Sequence, residues 1–240
     1  MKKLTIEIAE KRIGIQAGYE NIVKQCNAYL TEEAPEIMVQ ATVEDITQMR
    51  EQALREDILE GKEPGVYSDG YLESLAVYRK IAEAMVEYDT LLMHGSVVAV
   101  DGEAYLFTAK SGTGKSTHTR YWREVFGERA IMVNDDKPLL KLVENGVLAC
   151  GTPWDGKHHL STNVCLPLKG ICILERGEEN EIHEISAKEA LPMVFQQTHR
   201  PKKVFQYMEL IDRLSRSVKF YRMRCTPTPE AAQMAYEAMK

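Results

Sequence analysis

A run of small residues, Ala109-Lys-Ser-Gly-Thr-Gly-Lys-Ser116, is followed by two adjacent carboxylates, Asp135 and Asp136. The run suits a polyanion. Gly112 and Gly114 let backbone N–H groups turn inward, which needs close approach and often a positive φ. Lys115 supplies a charge for β- and γ-phosphates, and the Ser116 hydroxyl is placed to ligate Mg²⁺. Ser111, Thr113 and Thr117 complete the cradle, and a helix opening at Lys115 adds the partial charge of its N-terminus. Ala109 stands where the P-loop pattern begins with glycine; as the smallest residue with a Cβ it keeps a tight turn open. A Gly/Ser-rich surface turn would explain neither the lysine nor the acidic pair. The expected ligands are ATP and Mg²⁺.

Phosphoryl transfer is mostly positioning and charge stabilisation, so it needs a cationic cradle, a divalent metal and a carboxylate near the incoming nucleophile. Adjacent residues leaving a strand point to opposite sides. That assigns Asp135 to the metal and Asp136 to the acceptor hydroxyl as its base; the bland alternative is a solvated strand end. His94, at the start of an apolar segment, is either a polar active-site group or a satisfied structural histidine. The polar segment Gly151-Thr-Pro-Trp-Asp-Gly-Lys-His-His-Leu-Ser-Thr-Asn163 has the make-up of an acceptor site. Trp154 offers a flat apolar face, and Asp155, Lys157, His158, His159 and Asn163 offer charge and hydrogen bonds. An exposed loop anchored by one tryptophan would look the same. His158 and His159 do not suggest a metal, because neighbours in an extended segment point apart.

The elements that must position these groups can be read from the pattern. Leu4 to Ile15 reads as one or two strands, Glu20 to Leu30 as a short helix and Glu36 to Ala41 as a strand. Thr42-Val-Glu-Asp45 starts a helix through about Leu54, and the charged Arg55 to Glu63 stretch with Pro64-Gly65 makes a loop. Ser68-Asp-Gly opens a longer helix with Leu72, Leu75, Tyr78, Ala82 and Met85 on one face. Leu91 to Val100 and Ala104 to Ala109 are apolar strands around Asp101-Gly102-Glu103, a hairpin turn, so the strand entering the glycine-rich run should pair antiparallel with the one before it. A helix from Lys115 to Phe126 closed by Gly127, a strand Ala130 to Val133, and a hairpin of Leu139 to Val143 with Val147 to Cys150 follow. Leu168 to Leu174 reads as a buried strand and Glu175 to Asn180 as a charged turn. Ser186-Ala-Lys-Glu189 is a capping box, and Pro229 opens a last helix capped by Thr228. The fold class is α/β: a mixed, hairpin-rich sheet carrying a P-loop over residues 90–240, with a smaller α/β lobe over residues 1–89.

Composition sets the bounds. With 240 residues, 44% hydrophobic, the chain can bury a sizeable core. A net charge of −6 with scattered Lys and Arg argues against a nucleic-acid surface, and Arg200, Lys202 and Lys203 read as a solvated charge run, the alternative being a basic clamp for an acidic ligand. Cys26, Cys150, Cys165, Cys172 and Cys225 are odd in number and show no zinc spacing, so they read as buried thiols of a reducing compartment. Glu7, Glu10 and Lys11 lie where a signal peptide needs an apolar core, and no run reaches membrane-spanning length. The expectation is a cytoplasmic protein with no membrane partner, self-association being left open.

From about Leu91 to Leu174 the chain resembles the catalytic core of HPr kinase/phosphorylase, which shares its nucleotide-binding fold with phosphoenolpyruvate carboxykinase. The resemblance lies in His94-Gly95 twenty-one residues before Lys115, the hairpin, the Ser-Gly-x-Gly-Lys-Ser loop, and Val133-Asn-Asp-Asp-Lys137 against the family's Val-Ala-Asp-Asp. It implies Asp136 as catalytic base, Lys115 as phosphate ligand, Ser116 as metal ligand and His94 as a polar active-site group. Departures limit it. Leu166-Pro-Leu-Lys-Gly170 puts Pro167 where the family has a second metal carboxylate, and Arg200-Pro-Lys-Lys-Val204 only echoes its Arg-Pro-Gly-Arg-Asn signature. Recognition of HPr and the reverse reaction are therefore not carried over.

The expected activity is transfer of the γ-phosphoryl group of ATP to a hydroxyl. A protein or peptide serine is what the resemblance implies; a small polyol, sugar or amino acid is what the compact chain and the Trp154 to Asn163 segment would suit. The other class is a nucleotide-dependent switch or accessory NTPase, with water as the only acceptor.

Overall fold

The structure is a computed structural model that describes residues 1–59 and 61–240. The chain divides into two compact units, Met1–Ala84 and Met85–Lys240.

In the first unit, β1 (Lys2–Ile8) and β2 (Lys11–Ala17) form an antiparallel hairpin. Its two turn residues, Ala9 and Glu10, both have positive φ, 48° and 60°, as a type I′ turn requires. A short helix α1 (Glu20–Gln25) leads to β3 (Ile37–Gln40), which lies parallel to β2. Helix α2 (Val43–Leu59) opens on the expected reciprocal cap: Thr42 N–H donates to Asp45 Oδ2 at 2.7 Å and Asp45 N–H to Thr42 Oγ1 at 3.2 Å. It does not stop near Leu54. The charged residues taken for a loop continue it through Leu59, because Gln52 with Glu56 and Glu51 with Arg55 fall one turn apart and pair along the helix. Position 60, inside that predicted loop, lies outside the described residues. Helix α3 (Asp69–Met85) buries Leu72, Tyr78, Ala82 and Met85, with Leu75 half-buried.

The second unit is a mixed sheet with helices on both faces. Its elements are β4 (Thr90–Leu92), β5 (Ser96–Val100), β6 (Glu103–Thr108), α4 (Lys115–Phe126), β7 (Ala130–Asn134), β8 (Leu139–Val143), β9 (Gly146–Cys150), β10 (Cys165–Arg176), β11 (Glu181–Ile185), α5 (Ala187–Gln197), α6 (Val204–Ser217), β12 (Lys219–Cys225) and α7 (Pro229–Met239). The order is β4-β8-β9-β10-β6-β5-β7, with β12 joining β10 and β11 joining β12. β10 runs parallel to β6 and β12, while β5 with β6, β5 with β7, β8 with β9 and β4 with β8 are antiparallel. Strand alternation sends side chains to two separate cores. Val97, Ala99, Leu106, Ile171 and Ile173 meet Val194 of α5 and Leu210, Ile211 and Leu214 of α6. Val98, Val100, Tyr105, Phe107, Cys172 and Leu174 meet Trp122 of α4 and Ala231, Ala232 and Ala235 of α7. Burial on both faces explains the unbroken apolar runs Val97–Val100, Ala104–Phe107 and Ile171–Leu174 in these strands.

Four expectations for this unit are corrected. Leu91 to Val100 is two strands, broken at Met93-His94-Gly95, because these backbone groups bond outside the ladder: His94 N–H to Gln197 O at 2.7 Å and Gly95 N–H to Asp136 O at 3.0 Å. β10 extends from Cys165 to Arg176, so the charged turn begins at Gly177. Thr228 precedes α7 without a side-chain capping bond to it. The five cysteines are not all thiols: the antiparallel register sets Cys150 opposite Cys165, Cα to Cα 4.1 Å, and the two form a disulfide, leaving Cys26, Cys172 and Cys225 free. Among the described residues no helix is long and apolar enough to cross a membrane.

Gly151 leaves β9 through a gap that admits no side chain. A Cβ there would lie 1.9 Å from the Thr162 carbonyl oxygen and 2.7 Å from that of Val133. Gly151→Ala should cost stability at or above the upper end of about 1–3 kcal/mol. The check is a lower denaturation midpoint at unchanged slope; a midpoint like that of the parent chain would show the backbone can yield.

Candidate functional site

The buried Ala109 follows β6 and hands the chain to a turn that ends at α4. Gly112 (φ 76°) and Gly114 (φ 118°) adopt backbone conformations that side chains disfavour, and Gly114 is the N-cap of the helix. Lys115, 9% exposed, folds back so that its Nζ donates to the Ala109 carbonyl at 3.3 Å. Burial lowers its pKa, the charges of Asp136 and Asp135 pull it back up, and Lys137 lowers it further. Ser111 and Ser116 are exposed, Thr113 and Thr117 half-buried. Arg176, at the end of β10, reaches the loop and donates to the carbonyls of Gly112 at 2.5 Å and Thr113 at 3.4 Å. Nothing local in the sequence marks that long-range contact.

β7 delivers the two acids, which do face different partners. Asp135, 7% exposed, accepts from Ser96 Oγ at 2.7 Å, and Ser96 Oγ is 2.8 Å from Thr119 Oγ1. Burial raises the pKa of Asp135; hydrogen bonds from Ser96 and Ser116 and the charge of His158 oppose this, and Asp136 adds to it. Asp136 meets His94 Nε2 at 3.2 Å and the ammonium of Lys137. Burial would raise its pKa, but the bond from His94 and the charge and bond of Lys137 outweigh that and take it down to about 2. His94 reaches this place because it lies in the break between β4 and β5, held by its N–H on Gln197 and by Thr108 Oγ1 on its carbonyl at 3.0 Å.

Asn134 organises the turn. Its Oδ1 accepts from the N–H groups of Asp136 at 2.9 Å and Lys137 at 2.7 Å, and its Nδ2 donates to Thr152 O and Oγ1, both at 3.0 Å. Both residues are fully buried, and Thr152 Oγ1 donates in turn to Lys137 O at 2.9 Å. An asparagine just before Asp-Asp is the sequence signal for such a side-chain-closed turn.

The segment after β9 lies against the acids. A Cβ on Gly156 would stand 3.3 Å from Asp136 Cβ, and Lys157, His158 and Asn163 are exposed. Trp154 does not act as a platform: it is 3% exposed, so its ring packs inside the fold. Asp155 is also turned inward, accepting from Ser161 N–H at 3.0 Å and Oγ at 2.8 Å and lying 3.1 Å from His159 Nδ1. Of the residues expected to meet an acceptor, the surface therefore keeps Lys157, His158, His159 and Asn163.

Among the described residues there is no cluster of three His, Cys, Asp or Glu able to hold a metal. A substrate-borne Mg²⁺ needs less, because phosphate oxygens and waters fill most of its octahedron. A buried carboxylate bonded to an exposed serine hydroxyl, with its proton affinity raised by burial, fits such a cation.

No family model and no curated protein matches the sequence. Among solved structures the chain is similar to the Hpr(Ser) kinase/phosphatase from Coxiella burnetii, at 11% identity over 61% of this chain and 95% of that one, with a TM-score of 0.37. At that score the likeness does not bear on activity, which has to be argued from the site.

Asn134→Ala would leave two backbone N–H groups and the Thr152 carbonyl without their partner. It should destabilise the protein by roughly 2 kcal/mol or more, measured by urea unfolding; a loss well below about 1 kcal/mol would mean water replaces the amide.

Proposed function

We propose that the chain is an ATP-dependent kinase acting on a hydroxyl, built on a P-loop fold of the HPr kinase type. The observation that carries this reading is the convergence, at the mouth of one strand-loop-helix turn, of Lys115, Ser116 and Asp135 on one side and Asp136 with His94 and Lys137 on the other. The hairpin of β5 and β6 that feeds the turn supports the fold assignment.

The loop N–H groups and Lys115 hold the triphosphate. Ser116 and Asp135 would hold Mg²⁺, which would supply charge neutralisation to the phosphates. The acceptor hydroxyl oxygen attacks the γ-phosphorus, the bond from that phosphorus to the β–γ bridging oxygen breaks, ADP leaves, and the hydroxyl proton passes to Asp136. A carboxylate with a pKa of about 2 is a weak base. It suffices for a loose transition state, in which the nucleophile needs orientation first and proton removal late. Lys137 strengthens it: turning from Asp136 to the transferring phosphoryl group, the ammonium restores basicity to the carboxylate as charge moves to the phosphate. The exposed Lys157, His158 and Asn163 present the acceptor. The acceptor is a small hydroxyl compound or a protein or peptide serine.

The test is transfer from γ-labelled ATP with Mg²⁺ into extract separated into protein and metabolite fractions. Label in either fraction should be abolished by Lys115→Ala and reduced about 10²–10⁴-fold by Asp136→Asn. Free phosphate alone in both fractions would overturn the kinase reading in favour of a nucleotide-driven switch.

Lys137→Met separates catalysis from folding. It should lower kcat by about 10²-fold with little change in the KM for ATP. An unchanged kcat would make Lys137 a mere counter-ion of the resting site.

A further inference from the structure

Helix α6 buries one side, where Tyr207, Leu210, Ile211 and Leu214 join the core against the sheet. The opposite side is exposed, and its character changes along its length. The first turns carry Val204 at 62%, Phe205 at 76% and Met208 at 46% exposure. Met208 lies four residues after Val204 and three after Phe205, so the three form one stripe. Past Met208 the same side turns acidic with Glu209 and Asp212. A contiguous apolar stripe on the outer side of a helix marks a contact, where a lone exposed residue would not. The charges around it are not all satisfied within the chain. Lys203 is held by Glu87 and Asp212 by Arg216. Arg200, just before the helix, and Glu209, one residue past Met208, are exposed and have no ion pair or hydrogen bond among the described residues. A groove of about 370 Å³ lined by Glu87, Asp89, Glu209 and Asp212, with Arg213, keeps that half of the surface negative.

Along the chain the surface therefore runs from a spare cation, through an apolar centre, to a spare anion and an acidic groove. Turned end for end, it complements itself. We infer that this side of α6 packs antiparallel on α6 of a second copy of the chain, about a two-fold axis beside Phe205 and Met208, with Arg200 of each copy meeting the acidic half of the other at Glu209. A two-fold contact uses every pair twice, so one self-complementary stripe is enough to build it. Val204, Phe205 and Met208 of the two copies make the apolar centre and the charges make the rim. A lipid surface fits less well, because Glu209 and the acidic groove would face anionic headgroups; a partner of one charge sign would match one end only and be repelled by the other. A contact confined to one helix side is small, which gives a dimer that forms and dissociates with concentration and not an obligate one.

The experiment is sedimentation equilibrium of the full chain over a concentration series, beside Phe205→Glu, Arg200→Glu, Glu209→Arg and the double variant Arg200→Glu/Glu209→Arg. The parent should dimerise with a dissociation constant of about 1–50 µM. Phe205→Glu brings two carboxylates together at the axis and should stay monomeric at about 200 µM. Its circular dichroism should match the parent's, since the side chain it replaces is exposed. Each single reversal sets like charges against each other and should weaken the dimer about tenfold, whereas the double reversal restores opposition and should return to within about threefold of the parent. A parent that is monomeric at about 200 µM overturns the inference; if that monomer then sediments with vesicles of anionic phospholipid, a membrane covers the stripe instead. A dimer as tight in Phe205→Glu as in the parent lies elsewhere on the chain, and a double variant no tighter than the single ones rejects the antiparallel pairing. Either result overturns it as well.

Discussion

One buried amide holds the site together. Asn134 closes the acidic turn with its oxygen and fastens the segment after β9 with its nitrogen, and Thr152 Oγ1 on the Lys137 carbonyl adds a second tie between the two walls around Asp136. An amide can do this because it accepts and donates in fixed, opposite directions. A carboxylate would add a charge in a dry place and lose both donors; an aliphatic residue would leave backbone groups unmet. The placing of Asp136 and Lys137 against the segment after β9 follows from it.

Around that amide the sheet supplies rigidity. β5, β6 and β10 are packed on both faces, with α5 and α6 on one side and α4 and α7 on the other. The loop and the acids leave the two strands that flank β5, the first after β6 and the second after β7. A phosphate cradle and a carboxylate pair carried by strands buried on both faces have little freedom to drift apart. Ser96, at the start of β5 between them, bonds across to Asp135 and Thr119 and so links all three elements.

Much of this was legible in the sequence where local chemistry dictates conformation. Asp101-Gly102 forces a hairpin turn, and both residues take positive φ, 53° and 83°. The capping boxes at Thr42 and Ser186 and the glycine after Phe126 mark helix ends by the same logic. What stayed hidden depends on partners far along the chain. The turn at Ala9-Glu10 uses positive φ without a glycine to announce it. The break at His94 exists because Gln197 and Asp136 take its backbone bonds, and the Cys150–Cys165 bond follows from a register between strands separated by a loop. Trp154 looked like a ligand platform because its neighbours are polar, yet burial is decided by what lies across from it. The loop, the acids and His94 were singled out by type and spacing, and Asn134 by its place just before Asp-Asp; the contacts of Ser96, Lys137 and Arg176 were recognisable only once the chain had brought them together.

The disulfide has a further consequence for whatever the exposed residues of the 151–163 segment meet. Its two ends are joined covalently at Cys150 and Cys165, and its interior is pinned by Asp155 on Ser161 and by Thr152 on Asn134. The conformational entropy of the segment is therefore surrendered during folding, not at the moment a ligand arrives. A partner that binds there meets a preformed surface, and its affinity is set by complementarity alone, without a folding step of the loop deducted from it.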